Sequence, residues 1–197
     1  MELIANARFK KAMDRATAAS AYTERITQLV SDLSQSGLEV AHPLLEERPE
    51  PQNVALLVLT SNRGMCGGFN SGVLRESYTH HNTLKESVPS IRLDVSGKRG
   101  ISAMKYRGLP ADQAFTHFED EPAYQDVELL ANQYLDEFST NKIDRLDVAY
   151  TRFISSSKQE AVVETLLPLG SLEGVEADAA SDGGESMYEF LPSATSI

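Results

Sequence analysis

The sequence has one cysteine, no tryptophan and no apolar run longer than six residues. Each shortage removes a class of protein. With Cys66 alone no intramolecular disulfide can form, so nothing marks an oxidising compartment. The longest apolar run, Val54–Leu59, falls far short of the roughly 20 residues that a membrane-spanning helix needs. The first residues, Met-Glu-Leu-Ile-Ala-Asn, lack the basic-then-apolar plan of a signal peptide. Bases are scarce too: 18 Lys and Arg against 29 Asp and Glu give a net charge of −11. That balance argues against a nucleic-acid groove, which needs clustered cations to neutralise phosphate. The expectation is a soluble, cytosolic-type acidic protein with no nucleic-acid partner.

The charge is unevenly spread. Lys158 is the last base, and eight acids follow it, whereas residues 1–34 hold five bases and four acids. Different surroundings for the two ends are implied.

Residues 1–36 contain no Gly and no Pro, and the spacing predicts one long helical arm over 1–35, stopped by Gly37. Tyr22, Ile26, Leu29, Val30 and Leu33 fall at three- and four-residue steps, and the stripe runs back through Ile4, Phe9, Met13, Ala16 and Ala19. At 1.5 Å per residue the arm is ~50 Å long, more than a domain of this size covers, so a coiled-coil-type arm is expected rather than a bundle helix.

After a Pro-rich connector the pattern changes, and residues 52–169 read as an α/β domain. Val54–Thr60 reads as a buried parallel strand, followed by a Gly-rich loop (Ser61–Asn70) and a helix to about Ser87. A second strand at Ile91–Val95, a short helix through Lys105, a short strand at Gln113–Phe118 and a helix from Pro122 come next. The last has Val127, Leu130, Tyr134 and Phe138 on its apolar face. Leu146–Ile154 and Ala161–Leu167 are two further strands. This order predicts an open, mostly parallel, Rossmann-like sheet with flanking helices. Residues 170–186, rich in Ala, Gly, Asp and Glu, read as a flexible acidic linker, and 187–197 as a terminal extended segment.

Candidate chemistry is thin. The loop spacing Gly64-x-x-Gly67-Gly68 fits neither dinucleotide nor P-loop patterns, and no Lys follows it. Asp94, which would have to serve as the acid on the second strand, lies mid-strand rather than at its end. A structural turn packing against its neighbours is expected, with Cys66 a buried, inert thiol. The histidines (His42, His80, His81, His117) lack metal-ligand spacing and read as surface residues. Glu119, Asp120 and Glu121 precede Pro122, where carboxylates complement a helix dipole. No catalytic residue, metal ligand or cofactor is predicted.

These features together resemble the gamma subunit of F-type ATP synthase, whose loop reads close to S-D-R-G-L-C-G-G-L-N. Ser61, Arg63, Gly64, Cys66, Gly67, Gly68 and Asn70 match it, with Asn62, Met65 and Phe69 as replacements. Met1-Glu-Leu-Ile-Ala-Asn-Ala-Arg8 is similar to the family's M-E-M-V-A-A-A-K, while Ala21 stands where Pro is usual. His42-Pro-Leu-Leu-Glu46, Gly97-Lys-Arg-Gly100, Thr151-Arg-Phe-Ile154 and Leu166-Leu-Pro-Leu169 also correspond. Tyr188-x-Phe190-x-Pro192-Ser193 is like Y-x-F-E-P-S, with Glu189 and Leu191 departing from it.

The resemblance implies a non-catalytic central-stalk subunit that couples proton flow to ATP synthesis or hydrolysis by rotation. It implies a peripheral place on the cytoplasmic side of the plasma membrane, touching the membrane only through the complex. Its partners would be the alpha, beta and epsilon subunits and the membrane rotor ring. Met1, Glu2, Ile4, Arg8, Ile26, Leu29 and Leu33 would supply subunit contacts from the arm, and Tyr188, Phe190 and Pro192 from the foot. Arg63, Gly64, Cys66, Gly67, Gly68 and Asn70 would form a structural loop. Family members carry helix before the position of Met1 and after that of Ile197, so the chain is expected to be truncated at both ends, with self-association of the uncovered arm. Two other readings stay open: a small cofactor- or nucleotide-binding enzyme using residues 62–70, and a helical-arm adaptor.

Overall fold

The computed structural model describes residues 2–35, 43–46, 48–118 and 122–169. Helix α1 (Glu2–Gln35) fits the Gly- and Pro-free stretch. Of its described side chains, Phe9 and Ile26 are 56% and 42% exposed, so the apolar stripe is open at those positions. Gly37, at the expected stop, lies outside the described residues.

The sheet follows. Strand β1 (Asn53–Leu59) leads through α2 (Phe69–Ser87) to β2 (Ser90–Ser96), and α3 (Lys98–Tyr106) leads to β3 (Gln113–Phe115). Helix α4 (Tyr124–Ser139) then delivers the chain to β4 (Arg145–Ser155), which turns tightly into β5 (Lys158–Leu167). The strand order is β3-β2-β1-β4-β5. Pairing is parallel from β3 through β4 and antiparallel between β4 and β5.

Strand β1 is central, and its apolar run fills both faces, as a strand covered on each side requires. Leu56 and Val58 pack with Val73 of α2, Met104 of α3, Leu93 and Val95. Ala55 and Leu57 pack with Tyr134 and Phe138 of α4, Ile143, Leu146 and Val148. The two-residue period of the strand thus separates two cores, α2 and α3 on one face and α4 on the other.

Helix α4 corrects the sequence reading in one place. Tyr134 and Phe138 are buried and Leu130 partly so, but Val127 is 44% exposed. Along α4 the residues packed against the sheet core begin at Leu130, so Val127, a turn earlier, is left uncovered.

Both ends of the sheet domain are tied to its connector. Arg48 donates to the carbonyls of Ile143 (2.7 Å) and Phe138 (2.9 Å) and to the Asp144 carboxylate (3.1 Å), and stacks 4.1 Å over the Phe138 ring. Asp144 in turn accepts the N–H groups of Gln52 and Asn53, each at 2.9 Å. Burial opposes its ionisation, yet these N–H groups and Arg48 prevail and hold the carboxyl below its ordinary value. The N–H of Leu169, just past β5, donates to the carbonyl of Leu44 (2.8 Å).

Candidate interaction surfaces

The Gly-rich loop after β1 sits where a doubly wound sheet would bind a ligand. Here its polar groups are spent internally. Asn70 accepts the Ser61 N–H (2.9 Å) and donates to the Ser61 hydroxyl (2.8 Å). Asn62 donates to the carbonyls of Thr116 (3.1 Å) and Phe118 (2.8 Å) and accepts the Lys98 N–H (3.0 Å). The Arg99 N–H donates to the Ser61 carbonyl (3.2 Å), and the Gly100 N–H to the Thr60 hydroxyl (3.0 Å). The first N–H groups of α3 are therefore satisfied by the loop and Thr60, whereas α2, the helix that the loop opens, has no side-chain cap at Gly68.

Close approach happens at a different glycine pair than the loop spacing suggests. A Cβ on Gly67 or Gly68 would meet nothing within 4 Å, although Gly67 needs its glycine for a φ of +55°. At Gly97, with φ +98°, a Cβ would lie 2.2 Å from the Thr60 carbonyl oxygen, and at Gly100 2.4 Å from the Thr60 hydroxyl. Arg63 is exposed, and Gly64 lies against the Arg99 guanidinium, 2.7 Å from where a Cβ would stand.

Cys66 is exposed rather than buried. The loop bulges outward with Met65 in a left-handed conformation (φ 59°) and fully exposed, so the thiol rides on the surface. Its Sγ reaches the Gly64 carbonyl at 3.4 Å.

The histidines divide. His117 is exposed and 4.1 Å from the Phe118 ring, and His42 lies outside the described residues. His81 is 6% exposed and therefore not a surface residue, because α2 turns it toward the sheet; burial lowers its pKa, with Lys85 and His80 adding to the effect. His80 Nε2 lies 2.7 Å from the carboxylate of Asp147 on β4.

Asp147, which no sequence pattern singles out, and Asp94, which the sequence places mid-strand, are the buried carboxylates of the sheet. Each is fully buried inside a strand. Asp147 also accepts from Arg145 (2.9 Å) and Thr165 (2.8 Å). Burial opposes its charge, but the His80 hydrogen bond, Arg145 and Thr165 outweigh it and hold the carboxyl below its ordinary value. On the other face, Asp94 accepts from Tyr134 (2.8 Å) and Arg92 (3.0 Å), and Arg92 bridges to Glu137 (2.7 Å). Burial wins at Asp94, whose carboxyl is pushed up. Both clusters join strand to helix, and in the second the other oxygen of Asp94, Oδ1, is buried without a hydrogen-bond partner. Among the described residues no group of His, Cys, Asp and Glu could hold a metal ion.

Of the expected arm contacts, only Ile26 has a described side chain. Glu2, Ile4, Arg8, Leu29 and Leu33 lie along α1 with side chains outside the described part, and Met1 is outside it altogether. The linker 170–186, the segment 187–197 with Tyr188, Phe190 and Pro192, and the acids Glu119, Asp120 and Glu121 are also outside the described residues.

Residues 1–197 match the family described as ATP synthase. The ATP synthase gamma chain of Rhodopirellula baltica is 60% identical over all of this chain and 67% of its own length. This chain belongs to the ATP synthase gamma-chain family. The gamma chain of Nocardioides sp. is 37% identical over all of this chain and 66% of its own, and that of Nocardia farcinica 34% over 98% and 64%. The chain thus spans about two thirds of the length of these relatives. Among solved structures, the central stalk and c-ring of the Tetrahymena thermophila mitochondrial ATP synthase superposes with a TM-score of 0.64 at 16% identity, covering 91% of this chain and 78% of that one. That likeness speaks for the fold. No helix among the described residues is long and apolar enough to cross a membrane.

Proposed function

We propose that this gamma-family chain works as the central rotor of an F-type proton-translocating ATP synthase, coupling proton flow to ATP synthesis or hydrolysis without catalysing either. The observation that carries this reading is the hydrogen bond between Leu44 and Leu169. The segment leading from α1 into β1 and the segment leaving β5 meet at one corner of the sheet. A shaft of two helices rising from a globular foot needs that corner. Helix α1, with 34 residues, is one such helix, ~50 Å long, and its exposed Phe9 and Ile26 leave a stripe for a coiled-coil partner.

In this reading α1 turns among the alpha and beta subunits, with Met1, Glu2, Ile4, Arg8, Ile26, Leu29 and Leu33 as contact residues. Tyr188, Phe190 and Pro192 belong to a foot beside the epsilon subunit and the membrane rotor ring, on the cytoplasmic side of the membrane. Arg63, Gly64, Cys66, Gly67, Gly68 and Asn70 shape the loop without taking a cofactor. The internal pairing of Asn62, Ser61 and Asn70 supports that reading over a nucleotide-binding one. Co-expression of the tagged chain with alpha, beta and epsilon subunits tests the assignment. The subunits are expected to co-elute with it, and elution of the chain alone would overturn the assignment.

A further inference from the structure

The stretch from Val95 to Ala111 holds four bases, Lys98, Arg99, Lys105 and Arg107, and no acid, within a chain of net charge −11. All four are exposed on or just after α3. Among the described residues none has a carboxylate partner. The acids closest in sequence are engaged elsewhere. Asp94 is buried against Arg92 and Tyr134, Asp112 accepts the Leu93 N–H (2.7 Å), and Glu76 on the neighbouring α2 pairs with Arg75 (3.2 Å).

Aromatic rings are interleaved with these charges. Tyr106, between Lys105 and Arg107, is 93% exposed, and the Arg107 guanidinium stands 5.0 Å over the ring of Tyr78 on α2. Exposed Tyr beside Arg is the composition that concentrates binding energy in protein interfaces.

We infer that α3, with Tyr78 beneath it, is a docking surface for an acidic segment of a partner polypeptide. Charge complementarity selects the occupant: four unneutralised cations on one short helix attract carboxylates. An anionic membrane fits less well. A flat lipid surface would meet the repulsion of the strongly acidic remainder of the chain, and α3 turns no aliphatic wedge outward, its exposed residues being Lys98, Arg99, Ser102, Lys105 and Tyr106. A polypeptide segment can follow the patch alone, within the ~8 Å over which charges act at physiological salt. This inference does not depend on the rotor assignment.

Fluorescence anisotropy on the full chain tests it, with labelled poly-glutamate and with vesicles of phosphatidylserine and phosphatidylcholine. Poly-glutamate is expected to bind in a salt-sensitive way. The variant carrying Lys98→Gln, Arg99→Gln, Lys105→Gln and Arg107→Gln should weaken it at least about tenfold with an unchanged circular-dichroism melt. Arg107→Lys should keep most of the binding, and Lys85→Gln with Lys142→Gln, which removes bases elsewhere, should leave it unaltered. Equal weakening by that control pair, no salt-sensitive poly-glutamate binding, or patch-dependent vesicle binding in its place would overturn the inference. So would poly-glutamate binding seen only after Glu173, Glu176, Asp178, Asp182, Glu185 and Glu189 are changed to Gln or Asn, which would make the chain's own acidic stretch the occupant.

Discussion

Asp147 carries its carboxylate into the middle of the sheet with the side chain 1% exposed, held by His80, Arg145 and Thr165. Replacing it by Asn removes the charge that faces Arg145 and leaves buried donors ill-matched. Asp147→Asn should cost about 3 kcal/mol in urea unfolding at neutral pH. The acid limb has a definite sign. The ordinary carboxyl value is 3.8 and the folded one lies below it, so the contribution is complete above that pH and drains away as pH falls from there through the folded value. Asp144 and Glu137, also held low, add to the same limb, so the Asn variant should show a shallower acid decline rather than none. Gly97 is the backbone counterpart. Gly97→Ala would force a Cβ to 2.2 Å from the Thr60 carbonyl at a positive φ, and the urea midpoint should fall by the equivalent of more than about 2 kcal/mol. The partners of the two buried carboxylates, Asp147 and Asp94, are not legible in the sequence. Asp147 meets His80 across 67 positions and Asp94 meets Tyr134 across 40, distances over which no periodicity carries information.

The elements themselves were far more legible, because each rests on a local pattern. The apolar run at β1 marks a strand buried on both faces, and the Gly- and Pro-free opening marks α1. The errors fall where tertiary cover, not period, decides exposure. Val127 shares the helical stripe of Phe138 but lies a turn before Leu130, where packing on the core begins, so the same face is buried at one end and open at the other. Phe138→Ala should therefore cost about 4 kcal/mol, whereas Val127→Ala should stay within about 0.5 kcal/mol. Paired thermal melts of the two variants check this, and a similar loss in both would mean that α4 is covered along its whole length. Cys66 was misread for a related reason. A Gly-rich turn suggests close packing, yet its bulge at Met65 faces outward, and the tight contact is made by Gly97 and Gly100 instead.

At the scale of the whole molecule, the sequence order predicts an open, mostly parallel sheet with flanking helices, and the structure orders its strands β3-β2-β1-β4-β5 with β1 central. What it cannot show is that Leu44 and Leu169 meet, since that contact closes the domain across its full length. The contact places the connector from α1 beside the chain leaving β5, the layout a rotor foot requires. Coupling is the property to test. The most direct measurement is ATP-driven proton pumping by a reconstituted ATP synthase in which this chain replaces the matching two thirds of the Rhodopirellula baltica gamma chain. A rotor predicts that the chimera assembles and acidifies vesicles on ATP addition, while the chain alone hydrolyses no ATP. Hydrolysis without pumping in the chimera, or hydrolysis by the isolated chain, would contradict it.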